Sequence, residues 1–298
     1  MTQDAALPTS RSTAILQGQA SKRWNTKHLG YRIGTDTVSA ATASALVAPI
    51  ICIIDQAIVR KAASTAALST CLWTSLKPAL QRPHRFLTGR PFLLIFSLYT
   101  STYFTANTID TATSTIQNQP IDEVSSGPSK FAATSAVNMS MCVYKDSQFA
   151  RMFGNSSAPT ARIPKISYAL FACRDSMTIF ASFNLPSIIA PRLAELPPPV
   201  KEKFSRILST ESGRTNTAQF IAPAAMQIFS TPIHLLGLDL YNRQGQLGLQ
   251  QRVLMVTKNW IVCAFARMGR IVPAFGVGGV VNANMRSSLL ASSTKKES

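Results

Sequence analysis

Asp55, Lys145, Asp146, Arg174 and Asp175 are charged residues set inside or at the ends of otherwise apolar stretches. A charge at the centre of a bilayer helix costs ~3 kcal/mol on insertion scales, so ionisable groups in such places are functional candidates. Carboxylates and cations on facing helices make ion pairs that close a path or contact a solute within it. At helix ends the same groups pair or snorkel to headgroups. Catalysis is not indicated: no Ser-His-Asp or Cys-His constellation is legible, and three histidines offer little material for one. The five cysteines are odd in number and scattered, with no CxxC pair, and read as reduced packing thiols without a metal or cofactor. His234 follows Pro232 in an apolar stretch and reads first as a packed histidine. Gly276, Gly278 and Gly279 lack the preceding strand and following Lys-Ser/Thr of a phosphate loop, and imply close helix packing.

The elements that must hold these residues are apolar helices. Only 14% of the 298 residues are charged and 46% are hydrophobic, against roughly 25% charged in soluble domains. Six stretches read as membrane spans: 37–54, 91–109, 131–154, 166–190 with a kink at Pro186, 218–240 and 271–284. Segment 54–90 is a basic loop, 110–127 an acidic linker, and 191–216, with Pro197, Pro198 and Pro199, an exposed connection. Residues 1–35 form a basic extension and 291–298 a polar tail. Ser176, Asn184, Asn282 and Asn284 could line a cavity between spans.

A net charge of +17 seeks an anionic partner. The basic residues are scattered, without the runs or motifs of nucleic-acid binding, so no nucleic acid is expected; anionic membrane lipid, cardiolipin included, fits better. The bias of the first 35 residues toward Arg, Lys, Ser and Thr points to mitochondria.

A weak internal repeat is present. IIDQAIVR at 53–60 aligns with YKDSQFAR at 144–151, placing Asp55 over Asp146 and Arg60 over Arg151 at a separation of 91 residues, and PIHLLGLD at 232–239 puts His234 near the aspartate position. GRPFLLIF, CRDSMTIF and GRIVPAFG superpose Arg90, Arg174 and Arg270. Units at about 36–110, 128–190 and 217–290 resemble the tripartite architecture of the mitochondrial carrier family. The resemblance implies an all-α membrane protein of six transmembrane helices in three two-helix repeats with pseudo-threefold symmetry. It also implies transport of a small anionic solute, with Asp55, Arg60, Asp146, Arg151 and His234 as gate residues. Arg90, Lys145, Arg174 and Arg270 are then solute or lipid contacts. The sequence departs from that family's Pro-x-Asp/Glu-x-x-Lys/Arg-x-Lys/Arg motif: Ile58, Phe149 and Gly237 replace the basic residue that would close the charge network. The alternative from another class is a non-transporting carrier-fold scaffold, receptor or insertion factor of a mitochondrial membrane, the outer membrane included.

Arg60, Lys61, Lys77, Arg82 and Arg85 lie after the first span with no acidic residue among them, whereas Asp110, Asp122 and Glu123 follow the second with no basic one, so these loops belong on opposite sides of the membrane. In isolated mitochondria the protein is expected to resist carbonate extraction and to lose protease protection only in mitoplasts. Extraction would defeat the membrane reading, and cleavage in intact mitochondria would move the protein to the outer membrane.

Overall fold

The computed structural model describes residues 24–118, 120, 127–155, 162–197, 199, 202, 204, 208–245 and 247–295. Most of the basic extension, Asp122 and Glu123 of the acidic linker, and the last three residues lie outside it. Among the described residues the chain is helical, without strands: α1 (Leu29–Ala63), α2 (Leu68–Gln81), α3 (Pro83–Leu87), α4 (Arg90–Gln117), α5 (Pro128–Phe153), α6 (Lys165–Asn184), α7 (Pro186–Ala194), α8 (Glu211–Asn242) and α9 (Leu249–Gly269). A π-helical segment, Val272–Gly279, joins α9 to α10 (Val280–Lys295), so that one rod runs almost unbroken from Leu249. Among the described residues three helices are long and apolar enough to cross a membrane: Leu29–Ala63, Gly213–Asn242 and Leu249–Ser292.

The long helices pack in chain order, α1 on α4, α4 on α5, α5 on α6, α6 on α8 and α8 on α9, and the rod closes the circuit on α1. Each, with α7 counted as the continuation of α6, carries ionisable residues 15 to 20 positions apart with none charged between: Asp36 and Asp55, Arg90 and Asp110, Lys130 and Lys145, Asp175 and Arg192, Arg214 and His234, Arg270 and Arg286. At 1.5 Å per residue these intervals are ~22–30 Å, close to the hydrocarbon thickness of a bilayer. Within them Leu46, Ile50, Leu93, Phe180, Ile188, Phe229 and Val272 face outward, while Ser39, Ser44, Asn107, Gln227, Ser230 and Thr231 are buried. Polar side chains are thus buried alongside small and aliphatic ones, while large apolar side chains face outward along the same intervals.

The end of this slab at Asp36 is fastened by charge. Arg286 Nε donates to Asp36 Oδ1 at 2.6 Å, Thr111 Oγ1 donates to Asp36 Oδ2 at 2.6 Å, and Asn107 and Asn282 exchange amide hydrogen bonds of 2.9 Å. Arg32 donates to the Thr111 carbonyl at 2.9 Å and to Ser114. Lys130 of α5 holds Asp110 of α4 at 2.8 Å.

Several boundaries differ from those expected. Asp110 belongs to α4 and is buried, because Lys130 neutralises it, so the acidic linker begins later. The residues between the fifth and sixth spans, 241–270, are not a loop throughout: from Leu249 they form helix α9, and Arg252 is neutralised by Asp239 at 2.6 Å at the α8 end. The three expected repeats are unequal. Two short helices separate α1 from α4, only residues 154–164 separate α5 from α6, and the third unit ends in the rod. Pro186 does interrupt its helix, between α6 and α7.

Pro273 lacks an amide donor and the segment after it carries three glycines, which accounts for the π geometry there. Tyr103 Oη donates to the Ala274 carbonyl at 2.6 Å. A Cβ on Gly278 would meet that hydroxyl at 2.2 Å and Val47 Cγ1 at 3.1 Å, which is the close packing the glycines imply. Gly278→Ala is expected to displace Tyr103 and destabilise the protein by about 1–3 kcal/mol, read as a lower thermal unfolding midpoint in detergent. Tyr103→Phe in the same background should restore part of the loss by removing the clashing oxygen.

Candidate functional site

At the other end of the slab, α1, α5, α6, α8 and the rod bring together Asp55, Lys145, Asp146, Arg174, Asp175, His234, Arg267 and Arg270. Lys145 Nζ lies 2.7 Å from Asp55 Oδ2 and also pairs with Asp146. Arg270 Nη1 donates to both Asp55 oxygens, at 2.7 and 2.9 Å. Arg174 pairs with Asp146 and, at 2.8 Å, with Asp175 Oδ1. The order Arg270, Asp55, Lys145, Asp146, Arg174, Asp175 therefore alternates in sign across the bundle. These side chains are buried, Arg174 completely, and only Arg270 retains more than a trace of exposure.

Local sequence explains the placement. On α5, Phe149 lies one turn beyond Lys145 and presents its ring 5.3 Å from Nζ, giving the ammonium an aromatic floor. His234 on α8 packs on Phe171 at 5.3 Å between ring centroids, with Nδ1 3.8 Å from Asp146 Oδ2. Gly237, one turn on, permits this approach, because a Cβ there would meet Phe171 Cε1 at 2.7 Å.

Above the layer, within the slab, lies a cavity of about 180 Å³. Asp175 and Arg270 meet it from the layer side; Tyr99, Thr102, Tyr103, Thr134, Ser135, Asn138, Thr178 and Ser182 supply hydroxyls and an amide, and Ala274 and Gly279 of the π segment complete the wall. It is smaller than the ~300 Å³ at which drug-sized pockets begin, and suits a small metabolite. One carboxylate and one guanidinium, each already ion-paired within the layer, stand beside neutral hydrogen-bonding groups in this wall.

The structure brings Asp55, Lys145, Asp146, Arg174, His234 and Arg270 into one site, but not the remaining sequence candidates. Arg60 stacks over Phe153 at 4.6 Å, and Arg151 and Arg90 are exposed at the end of α5 and the start of α4. Five positions along a helix turn a side chain by ~140°, so Arg60 and Arg151 point away from the layer that Asp55 and Asp146 enter. Arg267 and Gln227 were not singled out from sequence; Arg267 lies three positions before Arg270, a spacing that shares a helix face. Of the expected lining residues Ser176 is exposed, and Asn282 binds Asn107.

The sequence model of the family described as "Probable citrulline exporter" matches residues 39–290. The chain belongs to that family. No curated protein and no solved structure matches it. Membership in the probable citrulline exporter family marks the chain as a membrane transport protein and corrects the resemblance to the mitochondrial carrier family. That resemblance stood on a worn motif, and the geometry shows what the wear contains. Ile58 and Phe149, at positions where the motif has a closing cation, are core residues, and the Phe171 ring occupies the room a side chain on Gly237 would need.

The ion pairs are unequal in what they leave behind. Lys145 shares Asp55 with Arg270 and Asp146 with Arg174, so each carboxylate keeps a cation when Lys145 is lost; Asp175 has only Arg174. Removing one member of a buried pair costs ~3–5 kcal/mol. Arg174→Met is accordingly expected to lower the unfolding midpoint or the yield of folded protein more than Lys145→Met. Equal losses would show that the pairs are not separable in this way.

Proposed function

We propose that the chain exports citrulline, or a closely related ureido amino acid, through the bundle formed by its long helices, and that all six charge-free intervals cross the bilayer. Support comes from the family described as citrulline exporters and from the cavity's fit to such a solute. An α-amino acid brings an ammonium and a carboxylate, and a ureido group adds a neutral end rich in hydrogen-bond donors. The observation that carries the reading is the cavity floor. Asp175 offers a carboxylate toward an ammonium, the guanidinium side of the layer favours a carboxylate, and Asn138 with the surrounding hydroxyls suits the ureido group. A zwitterion replaces the anion expected from the basic loops.

In this reading the alternating charge layer is the closed barrier on one side. The ends of α1, α5 and α8 beyond it carry Arg60, Lys61, Arg151 and Arg243, with Lys77, Arg82 and Arg85 in the α2–α3 connection, so the positive-inside rule sets the barrier on the membrane's positive-inside face. The basic bias of the first 35 residues supports the mitochondrial inner membrane as location, with the barrier toward the matrix. Opening it requires the buried pairs to exchange partners, and a solute that binds one arrangement better shifts the balance toward it.

The test is uptake of labelled citrulline by proteoliposomes preloaded with unlabelled citrulline. Accumulation above that of protein-free vesicles is expected, and Asn138→Ala should lower the rate by about tenfold, the loss of one or two neutral hydrogen bonds. The absence of citrulline exchange, with folded protein verified in the vesicles, would remove the reading.

A further inference from the structure

The layer holds four fixed cations, Lys145, Arg174, Arg267 and Arg270, against three carboxylates, Asp55, Asp146 and Asp175. The aspartates are taken by Lys145, Arg174 and Arg270. Arg267 is left over. Its side chain is 2% exposed, and among the described residues no carboxylate lies within ion-pairing distance of it. Its Nε donates at 3.0 Å to Oε1 of Gln227, itself fully buried. Close by in the same layer, Arg174 Nε and Nη1 are buried without an acceptor. A buried guanidinium without a counter-charge is costly to hold, and the amide oxygen of Gln227 occupies the place that a carboxylate oxygen would fill with full neutralisation. Gln227 also reaches the cavity wall: its Nε2 lies 3.5 Å from Oγ1 of Thr178, a cavity residue. One amide side chain thus separates the unneutralised cation from the solute space.

We propose that Arg267 is the receptor for the solute's carboxylate, reached when Gln227 gives way, and that Gln227 is the neutral placeholder that keeps the site unblocked in the absence of solute. The inference rests on the citrulline reading and adds to it the group that distinguishes an amino acid from its carboxyl-blocked analogue. Arg270, whose guanidinium is held by both oxygens of Asp55, stays with the barrier. The solute's carboxylate would give Arg267 the counter-charge it lacks, which couples occupancy to the stability of the charge network.

The experiment uses the purified full-length protein in detergent, with its thermal unfolding midpoint titrated at constant ionic strength against citrulline, citrullinamide and acetate. In the wild type, citrulline is expected to raise the midpoint and the amide, which lacks the carboxylate, to do so at least about tenfold less effectively. Gln227→Glu supplies the carboxylate from within. It should unfold at a higher temperature than wild type without any ligand, and should bind citrulline at least about tenfold more weakly; Arg267→Gln should erase the preference for citrulline over its amide. Stabilisation of wild type by acetate, absent in Gln227→Glu, would support the carboxylate site even if citrulline had no effect, and that combination would fail the citrulline reading alone. The site is overturned if Gln227→Glu responds to citrulline and acetate as wild type does, or if neither compound shifts the wild type.

Discussion

An ionised side chain moved alone into an apolar interior loses hydration worth far more than any one hydrogen bond, and its neutralising partner must arrive with it. The layer at Asp55 meets that condition by alternating sign between helices, so that each carboxylate is shared by cations from different segments of the chain. Such an arrangement depends on the whole bundle. Asp55 is satisfied only when α1, α5 and the rod are in place, and Asp146 only when α5 meets α6. The packing of Phe149, Phe171 and Ile58 around the layer then excludes water and makes the pairs mutually obligatory. The fold and the charge layer are one construction.

The contrast between the two ends of the slab is instructive. At Asp36 the buried carboxylate has Arg286 and Thr111, and Arg32 is satisfied largely by backbone carbonyls and hydroxyls. Neutral groups do much of the bonding there, including the reciprocal amides of Asn107 and Asn282. At Asp55 the partners are charges, with more cations than carboxylates. Each end holds one surplus cation, but Arg32 has three oxygen acceptors where Arg267 has the single amide oxygen of Gln227, so the incentive to take up an anion is greater at Asp55.

Much of this was legible before the fold. The charge-free intervals of α1 and α4 announced themselves because nothing ionisable interrupts Thr37–Ile54 or Pro91–Ile109. Asp55, Lys145, Asp146, Arg174 and Arg270 were conspicuous because charge is rare in such surroundings. Arg60 and Arg151 were misplaced because a sequence alignment preserves spacing and discards rotation about the helix axis. The first turns of α9 are hard to read from sequence because Arg252 and Lys258 look solvated until Asp239 of α8 is known to meet the first of them. Arg267 escaped notice for a different reason: what marks it is the absence of a neutralising partner, and absence is a property of the assembled layer. The family could not be recovered from the repeat, since worn motifs on apolar helices are nearly as compatible with ordinary core packing.

The rod from Leu249 to Lys295 packs on α8 along its first half and on α1 along its second. A regular α-helix turns by a constant ~100° per residue along its length. The π segment widens the turns between these halves and shifts the phase of everything beyond it. Arg267 faces α8 while Arg286, nineteen positions later, faces Asp36 on α1; a regular α-helix already turns these positions ~100° apart, and the π segment changes that angle. The bulge acts as a phase-shifter, allowing one continuous helix to serve as the shared seam that closes the bundle.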